Sequence, residues 1–283
     1  MKKIIRFLLI LLLIILLLVI YARYEGTNGL ITKEYKIETA DISNSFDGIK
    51  IVHFSDLHYK RIINKDRTKE IVDEINLINP DIVIFTGDLI DKDFDVSDED
   101  IEDLTLLLNN INSKYGKYAI IGNHDYVRDD DILNDIYNNS SFVLLKNSYD
   151  IIYGDNNDKL FIGGVDTYSY DKADIDKTME YFEDNEDIDY KIILVHEPDY
   201  IDTITSKYNV NLVLAGHSHN GQINIPFIKE MFLPYGSNKY YENYYIVNDT
   251  PLYVSSGIGE SRINFRLFNR PSINFYRINK ITD

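Results

Sequence analysis

Five short apolar segments of this sequence are each followed directly by residues that carry a carboxylate, an imidazole or a carboxamide. Short apolar runs bounded by glycine or polar residues predict buried β-strands. The segments and the residues after them are Ile49–Phe54 with Asp56 and His58, Asp81–Phe85 with Asp88, Tyr118–Ile121 with Asn123, His124 and Asp125, Ile192–Val195 with His196, and Leu212–Leu214 with His217 and His219. Polar groups at the carboxyl ends of strands collect along one edge of an α/β sheet, so we expect these side chains to form one site.

Each of these motifs is weak on its own. An isolated Gly-Asp pair is usually a turn or a helix cap, and a histidine at a strand end is more often hydrogen-bonded structure than a ligand. His53 illustrates that alternative, because it lies inside the first predicted strand, where we expect it to pack within the sheet. Five such motifs in succession indicate a shared site.

The remaining patterns predict the fold class. Asp66–Asn79 has apolar residues at helical spacing and stops before Pro80, and Ser97 with Asp100 predicts a capping box at the start of another helix. Further strands are predicted at Phe142–Leu145, Leu160–Gly163, Tyr244–Val247, Leu252–Val254 and Ile273–Arg277. Strands alternate with helices early and follow one another late. This order predicts an α/β protein, a four-layer α/β/β/α sandwich of two mixed β-sheets.

The first residues differ from all the others. Lys2, Lys3 and Arg6 precede the unbroken apolar run Phe7–Ile20, a pattern of signal peptides and of uncleaved membrane anchors. As a helix, residues 7–22 would span about 24 Å, slightly less than a hydrocarbon core of about 30 Å. In both interpretations the positive charges stay inside, and the rest of the chain is expected on the extracytoplasmic side of the cell membrane.

Cleavage after Ala22 would leave Ile20 where signal peptidase sites usually have a small residue. We therefore favour a single-pass anchor over residues 1–23, a linker over residues 24–32 and one domain over residues 33–283. The sequence contains no cysteine, so an exported domain would need no disulfides.

The charge of the chain excludes one class of partner. Residues 1–23 hold four basic and no acidic residues, which leaves 25 basic and 46 acidic residues, or −21, for the remainder. Such a surface repels nucleic acid, and we expect no nucleic-acid partner. The acidic run Asp91–Asp100 is interpreted as a solvated loop and helix start.

The ordered motifs resemble the signature of the calcineurin-like metallophosphoesterase superfamily, over residues 46–260. Within it, Gly216–Gln222, Leu233–Gly236, Ser255–Gly259 and Arg266–Phe268 are similar to the membrane-associated branch of YkuE-like and YaeI-like phosphoesterases. Asn220 stands where that branch usually has glycine. Both residues tolerate positive φ, so we expect the turn to persist.

The resemblance implies two divalent metal ions and a set of ligands. Asp56, His58 and His219 would hold the first ion, Asn123, His196 and His217 the second, and Asp88 would bridge them. Mixed carboxylate and imidazole donors suit Mn, Fe or Zn.

The resemblance also implies how a phosphoester or pyrophosphate bond would be hydrolysed. A hydroxide that bridges the metals would attack phosphorus. His124 would be the general acid or a donor to a phosphate oxygen, with Asp125 fixing its orientation. A plain helix cap is the alternative for Asp125.

The substrate is less constrained. Arg262 and Arg266 lie among apolar residues and could bind a phosphate next to lipid, although salt-bridged arginines of an ordinary loop fit equally well. The anchor favours a lipid-linked substrate, and the branch resemblance alone implies activity like that of UDP-2,3-diacylglucosamine hydrolase. An extracellular nucleotide or teichoic-acid phosphodiesterase remains open, as does an inactive metal-binding scaffold of the envelope.

Overall fold

A computed structural model of the protein describes residues 1–127, 130–226, 229–261 and 263–281. Within these ranges twelve strands form two mixed sheets of six strands each. The strands are β1 (Ile31–Thr39), β2 (Ile49–Phe54), β3 (Ile82–Phe85), β4 (Gly116–Ala119), β5 (Phe142–Leu144), β6 (Ser148–Tyr153), β7 (Lys159–Gly164), β8 (Lys191–Val195), β9 (Leu212–Ala215), β10 (Tyr244–Val247), β11 (Thr250–Val254) and β12 (Ser272–Lys280).

The order of the strands places the ligand-type residues at one edge. The first sheet runs β1-β12-β2-β3-β4-β5, and the second runs β10-β11-β9-β8-β7-β6. Strands β2, β3 and β4 are parallel neighbours, as are β8 and β9. Their carboxyl ends therefore lie side by side within each sheet, and these are the ends that precede the five motifs.

The α-helices of the described ranges are α1 (Lys2–Ile20), α2 (Lys65–Ile78), α3 (Asp98–Asn109), α4 (Asp130–Asn139), α5 (Ile175–Thr178) and α6 (Ile201–Lys207). Five of these six helices, α2 to α6, cover the outer faces of the two sheets, and the N-terminal helix α1 packs on neither sheet. The predicted capping box begins α3, where the Ser97 side chain accepts from the Asp100 amide and the Asp100 side chain accepts from the Ser97 amide. Helix α2 ends at Asn79, in the left-handed conformation, directly before Pro80.

Three apolar clusters hold the layers together. One cluster packs α2, α3 and α4 on the first sheet, with Ile71, Leu104 and Phe85 among its buried members. The second fills the space between the sheets, and the third packs α5 and α6 on the second sheet. The predicted four-layer α/β/β/α sandwich of two mixed sheets is confirmed.

Two strands of the structure had no counterpart in the sequence prediction. Strand β1 alternates between half-buried and exposed residues at the edge of the first sheet, and β6 lies at an edge of the second. Neither contains the continuous apolar run that marks a strand buried on both faces. Strand β1 also begins at Ile31, within the segment that was expected to be a linker.

The N-terminal helix continues beyond the predicted anchor. One π-helical turn, Tyr21–Glu25, extends α1, and the apolar helix spans 24 residues with a mean hydropathy of 3.3 and no buried residue in its apolar window. Within the described ranges it is the one helix long and apolar enough to cross a membrane. A helix of this length spans about 36 Å, which exceeds a hydrocarbon core of about 30 Å.

The end of this helix packs directly on the folded domain. The Ala22 carbonyl accepts a hydrogen bond from the Arg266 amide at 3.0 Å. The rings of Tyr21 and Phe268 lie 6.5 Å apart, and Ala22 is buried. A helix leaves its last carbonyls without internal partners, so the Arg266 amide satisfies one of them.

Candidate metal centre

The five predicted segments meet at one site. Nitrogen and oxygen atoms from all five lie within hydrogen-bonding distance of one another, through contacts that link both sheets. Five of the seven predicted ligands have positive φ: Asp56, His58, Asp88, His217 and His219. Left-handed backbone is uncommon outside glycine and costs about 1–3 kcal/mol per residue, and such residues cluster at functional sites.

One group of donors comes from the ends of β2 and β9. His58 Nε2 lies 3.2 Å from His219 Nε2, and Asp56 Oδ1 lies 3.5 Å from the same His219 atom. All three side chains are buried. The Asp56 carboxylate also accepts from the His217 amide at 3.1 Å, which ties the end of β2 to the loop after β9. We call Asp56, His58 and His219 the first group.

A second group comes from the ends of β4, β8 and β9. His196 Nε2 lies 3.2 Å from both Asn123 Oδ1 and His217 Nδ1. We call Asn123, His196 and His217 the second group.

Asp88 lies between the two groups. Its Oδ2 atom is 3.6 Å from His58 Nε2 and 3.3 Å from His196 Nε2. Its Oδ1 atom accepts from the His124 amide at 2.8 Å, which fixes the carboxylate. Burial would raise the pKa of Asp88, but His196 and His124 hold it well below its usual range. One carboxylate thus faces both groups, as the bridging assignment requires.

The donors of the second group fit a cation. His196 Nδ1 lies 2.6 Å from the Thr86 carbonyl, and His217 Nε2 lies 2.8 Å from the Tyr235 carbonyl. A carbonyl can only accept, so when each ring is neutral, as a metal ligand must be, its proton lies on this nitrogen. The opposite nitrogens, His196 Nε2 and His217 Nδ1, then face each other as lone pairs beside the Asn123 oxygen. A metal ion satisfies such a set of acceptors.

Asp91 supports the first group from behind. Its carboxylate is fully buried, lies 3.4 Å from His58 Nδ1 and accepts from Arg61 Nε at 2.6 Å. Burial would raise the pKa of Asp91, but hydrogen bonds from His58 and Arg61 hold it below its usual range. A carboxylate on the outer nitrogen of a histidine orients the ring toward a metal. Its place corrects the interpretation of Asp91 as part of a solvated run.

Asp125 holds a neighbouring loop. Its carboxylate accepts from the amides of Asp88 at 2.7 Å, Leu89 at 2.8 Å and Gly122 at 3.0 Å. These contacts join the loops after β3 and β4 and fix the backbone of the residue placed between the two groups. The sequence suggested that Asp125 orients His124 or caps a helix, and the structure places its oxygens on these amides.

His124 lies beside the first group, with its ring 4.5 Å from that of His58. Its Nδ1 atom accepts from the Lys92 amide at 3.5 Å, so Nε2 carries the proton of the neutral ring. Burial lowers the pKa of His124 to about 4. Its Nδ1 atom also lies 4.0 Å from the Asp91 carboxylate. A cleft above the site is lined in part by His124, Lys92 and Asn123.

The two predicted substrate arginines have different outcomes. Arg262 lies outside the described residues. Arg266 is fully buried, and its guanidinium donates to the carbonyls of Ser256 at 2.9 Å and Gly257 at 3.0 Å. Its Nη2 atom lies 3.3 Å from His219 Nδ1. The structure therefore gives Arg266 a place inside the protein, behind the first group, and not the substrate contact that the sequence suggested.

Glycines allow the loops to approach one another. A Cβ atom at Gly122 would lie 2.7 Å from His196 Cε1, and one at Gly216 would lie 2.9 Å from Asp56 Oδ2. Asn220 adopts φ 53° and ψ 32°, so the turn expected there is present without glycine. His53 packs within the first sheet as expected, with Nε2 2.8 Å from Thr86 Oγ1.

Comparisons with known proteins agree with this geometry. The sequence matches the family model described as calcineurin-like phosphoesterase over residues 49–221. An uncharacterized metallophosphoesterase, YkuE of Bacillus subtilis (strain 168), is 32% identical over 259 residues, which cover 91% of this chain and 88% of that protein. A transmembrane protein with metallophosphoesterase domain from Danio rerio is 25% identical over 85% of this chain and 55% of its own length.

Among solved structures, the sulfate thiohydrolase SoxB of Thermus thermophilus superposes with a TM-score of 0.53 at 9% identity, over 82% of this chain and 57% of that chain. This likeness concerns the fold alone.

Proposed function

Because this chain belongs to the calcineurin-like phosphoesterase family, we propose that it is a metal-dependent phosphoric ester hydrolase anchored in the cell membrane by α1. The family points to a hydrolase of phosphoester bonds. The apolar, unburied helix that starts the chain supports the anchor. Lys2, Lys3 and Arg6 in the first turns of that helix favour a cytoplasmic N-terminus, with the catalytic domain on the extracytoplasmic side.

The observation that carries the proposal is the pair of donor groups that share Asp88. Asp56, His58 and His219 would hold one divalent cation, Asn123, His196 and His217 would hold another, and the Asp88 carboxylate lies between the two groups. When bound, two such cations lower the pKa of a water molecule between them and neutralise charge on the phosphoryl group. Imidazole and carboxylate donors together favour Mn, Fe or Zn over Ca.

His124 acts on the leaving group in this proposal. With Nδ1 on the Lys92 amide, Nε2 is the protonated atom that can reach an oxygen of the substrate. With a pKa of about 4 for the free ring, the negative charge of a phosphate must raise the pKa before the ring acts as a general acid. Otherwise the ring donates a hydrogen bond to a phosphate oxygen.

A substrate at the membrane surface is supported by the short path from α1 to the site. The Arg266 amide contacts the Ala22 carbonyl at the end of α1, and the Arg266 guanidinium contacts His219. One arginine thus separates the end of the membrane helix from a ligand of the first group. Phe268, next to Tyr21, is 63% exposed, which suits an apolar side chain at a lipid interface. We therefore favour a lipid-linked phosphoester or pyrophosphate.

An exported nucleotide or teichoic acid is the second candidate. Tyr235 is 62% exposed, its ring stacks on Tyr168 at a centroid distance of 5.8 Å, and its carbonyl contacts His217. An exposed ring beside the second group could stack on a nucleotide base.

The full chain in lipid nanodiscs separates these candidates. We expect faster turnover of a phospholipid or polyprenyl pyrophosphate in the same bilayer than of a soluble nucleotide at equal concentration. Phe268→Ser should reduce only the lipid activity, whereas Leu77→Ser, 78% exposed in the last turn of α2, should not. Faster nucleotide turnover, lowered by Tyr235→Ala, would favour the second candidate. A folded, metal-loaded protein inactive on every substrate would favour a scaffold.

A further inference from the structure

The turn that joins α1 to the domain packs on the loop that supports the first group. Three contacts define this junction: the Arg266 amide on the Ala22 carbonyl at 3.0 Å, the ring of Phe268 beside that of Tyr21, and Gly26 against the Arg266 carbonyl. A Cβ atom at Gly26 would overlap the Arg266 carbonyl oxygen. The close approach of the two segments therefore depends on glycine at this position.

The other end of Arg266 organises backbone. Its guanidinium donates to the carbonyls of Ser256, Gly257 and Gly259 and so fixes the segment after β11. The amide of Ile258 in this segment donates to the Ser55 carbonyl at 3.0 Å, and the amide of Gly259 donates to the Asp56 carbonyl at 2.7 Å. The arginine thus fixes a segment that is bonded directly to the strand end carrying Asp56.

The same segment touches the other members of the first group. A Cβ atom at Gly257 would lie 2.8 Å from His219 Nδ1 and 3.1 Å from Asp56 Cβ, and one at Gly259 would lie 3.0 Å from His58 Cβ. The Arg266 guanidinium itself lies 3.3 Å from His219 Nδ1. Residues 256–259 therefore lie directly behind the first group.

A buried carboxylate, that of Glu260, lies close to the guanidinium of Arg266. Glu260 is fully buried, with Oε1 3.8 Å from Arg266 Nε. Burying an arginine destabilises a protein unless the charge is paired and hydrogen-bonded, so we expect a buried arginine to have a specific role. The Arg266 guanidinium donates to four carbonyls. A neutral donor could also bond to one of them, but the rigid planar guanidinium reaches several at once.

We propose that Arg266 is a positioning residue that couples the docked end of the membrane helix to the first metal-binding group. Its backbone is held by the turn after α1, at Ala22 and Gly26, and its guanidinium holds residues 256–259, which lie against His219. The turn after the N-terminal helix is therefore a structural support of the first group. This inference rests on the metal assignment of the proposed function and concerns no particular substrate.

Gly26→Ala tests the coupling with little risk to the fold. Gly26 has φ −64° and ψ −30°, which alanine adopts freely, so the substitution should disturb the packing against Arg266 and nothing in its own turn. Glu25→Ala, at an exposed neighbouring position, is the matched control.

The experiment measures the binding of Mn²⁺ to the full-length chain in detergent. Binding is measured by titration and by the metal content of the protein at a limiting concentration of free ion. We expect Gly26→Ala and Arg266→Lys to weaken one of the two sites about tenfold, the lower end of the usual effect of losing an outer support of a ligand. The Mn²⁺ affinity of the other site and the urea midpoint of unfolding should be the same in Gly26→Ala as in Glu25→Ala.

If Gly26 and Arg266 act through the same contact, the effects of their substitutions on the metal site should not add. The double variant Gly26→Ala, Arg266→Lys should weaken the site little more than Arg266→Lys alone, because both act through one contact. Two sites of wild-type affinity in Gly26→Ala would overturn the coupling, and equal weakening of both sites with a lower urea midpoint would indicate general destabilisation. Because Mn²⁺ binding is measured without substrate, loss of the proposed activity would leave this result unchanged.

Discussion

Asp91→Asn is the sharpest test of how the first group is supported. Asp91 joins Arg61 to His58, and its oxygens accept from Arg61 Nε at 2.6 Å and from the Asp93 amide at 2.9 Å. Asparagine keeps the shape and removes the charge. In the wild type, the Asp93 amide and Arg61 Nη2 donate to Asp91 Oδ1 at 2.9 and 3.3 Å. If the asparagine oxygen keeps the contacts with Arg61 Nε and His58, its amide nitrogen replaces Oδ1. This nitrogen is a donor, so it cannot accept from those two groups.

The size of the effect follows from these contacts. A hydrogen bond to a charged group contributes about 1.5–3 kcal/mol, and a buried donor without an acceptor costs about 1–3 kcal/mol. One of each gives a loss of about 2.5–6 kcal/mol in the free energy of unfolding. For a domain of this size, about 3 kcal/mol lowers Tm by about 6–12 °C. Removing the outer carboxylate of His58 should also weaken metal binding at the first group by about 10–100-fold.

Asp93→Asn is the matched control, because Asp93 pairs with the same Arg61 at 2.6 Å but its side chain is 57% exposed. An exposed ion pair contributes about 0–1 kcal/mol, so this variant should stay close to wild type. The assays are thermal unfolding by circular dichroism and metal titration of the full chain in detergent. Equal Tm values and equal metal affinities for the two variants would refute the supporting role of Asp91.

Three other substitutions test separate parts of the site. Asp88→Asn should weaken both metal sites and lower kcat by orders of magnitude with the fold retained; two tightly bound metals and a near-normal rate would refute the bridge. His124→Ala should keep two metals per chain and lower kcat by about 10²–10⁴-fold, more for an alcohol leaving group than for nitrophenol; loss of a metal would make it a ligand, and equal losses a phosphate clamp. Lys92→Ala, in the lining of the cleft, should raise KM for a phosphoester with metal content unchanged; an unchanged KM would place the lysine outside the binding surface.

Much of the fold could be predicted because its strands are buried on both faces. Strands β2, β3, β8 and β9 are apolar runs that end in polar motifs, and the motif order indicates their neighbours. Strand β1 could not be predicted in the same way, since every second residue is exposed and the strand is held in place by pairing with β12 at the far end of the chain.

The residues of the site also differ in whether the sequence alone could predict their roles. Residues such as Asp56 and His219 lie in local motifs that a sequence displays. Asp91 lies in an acidic run without a motif, and its burial depends on Arg61 and His58, which belong to a different loop. Arg266 resembles a surface cation by composition, and only the fold places carbonyls around its guanidinium. Asp125 accepts from amides of another loop, a contact with no local signature.

The most direct test of the account is metal-dependent hydrolysis by the full-length chain. We expect the purified protein to bind two divalent ions per chain, to hydrolyse an aryl phosphodiester, to lose this activity in chelator and to regain it when Mn, Zn or Fe is added. A folded chain that binds two ions and hydrolyses neither phosphomonoesters, phosphodiesters nor pyrophosphates would contradict the account.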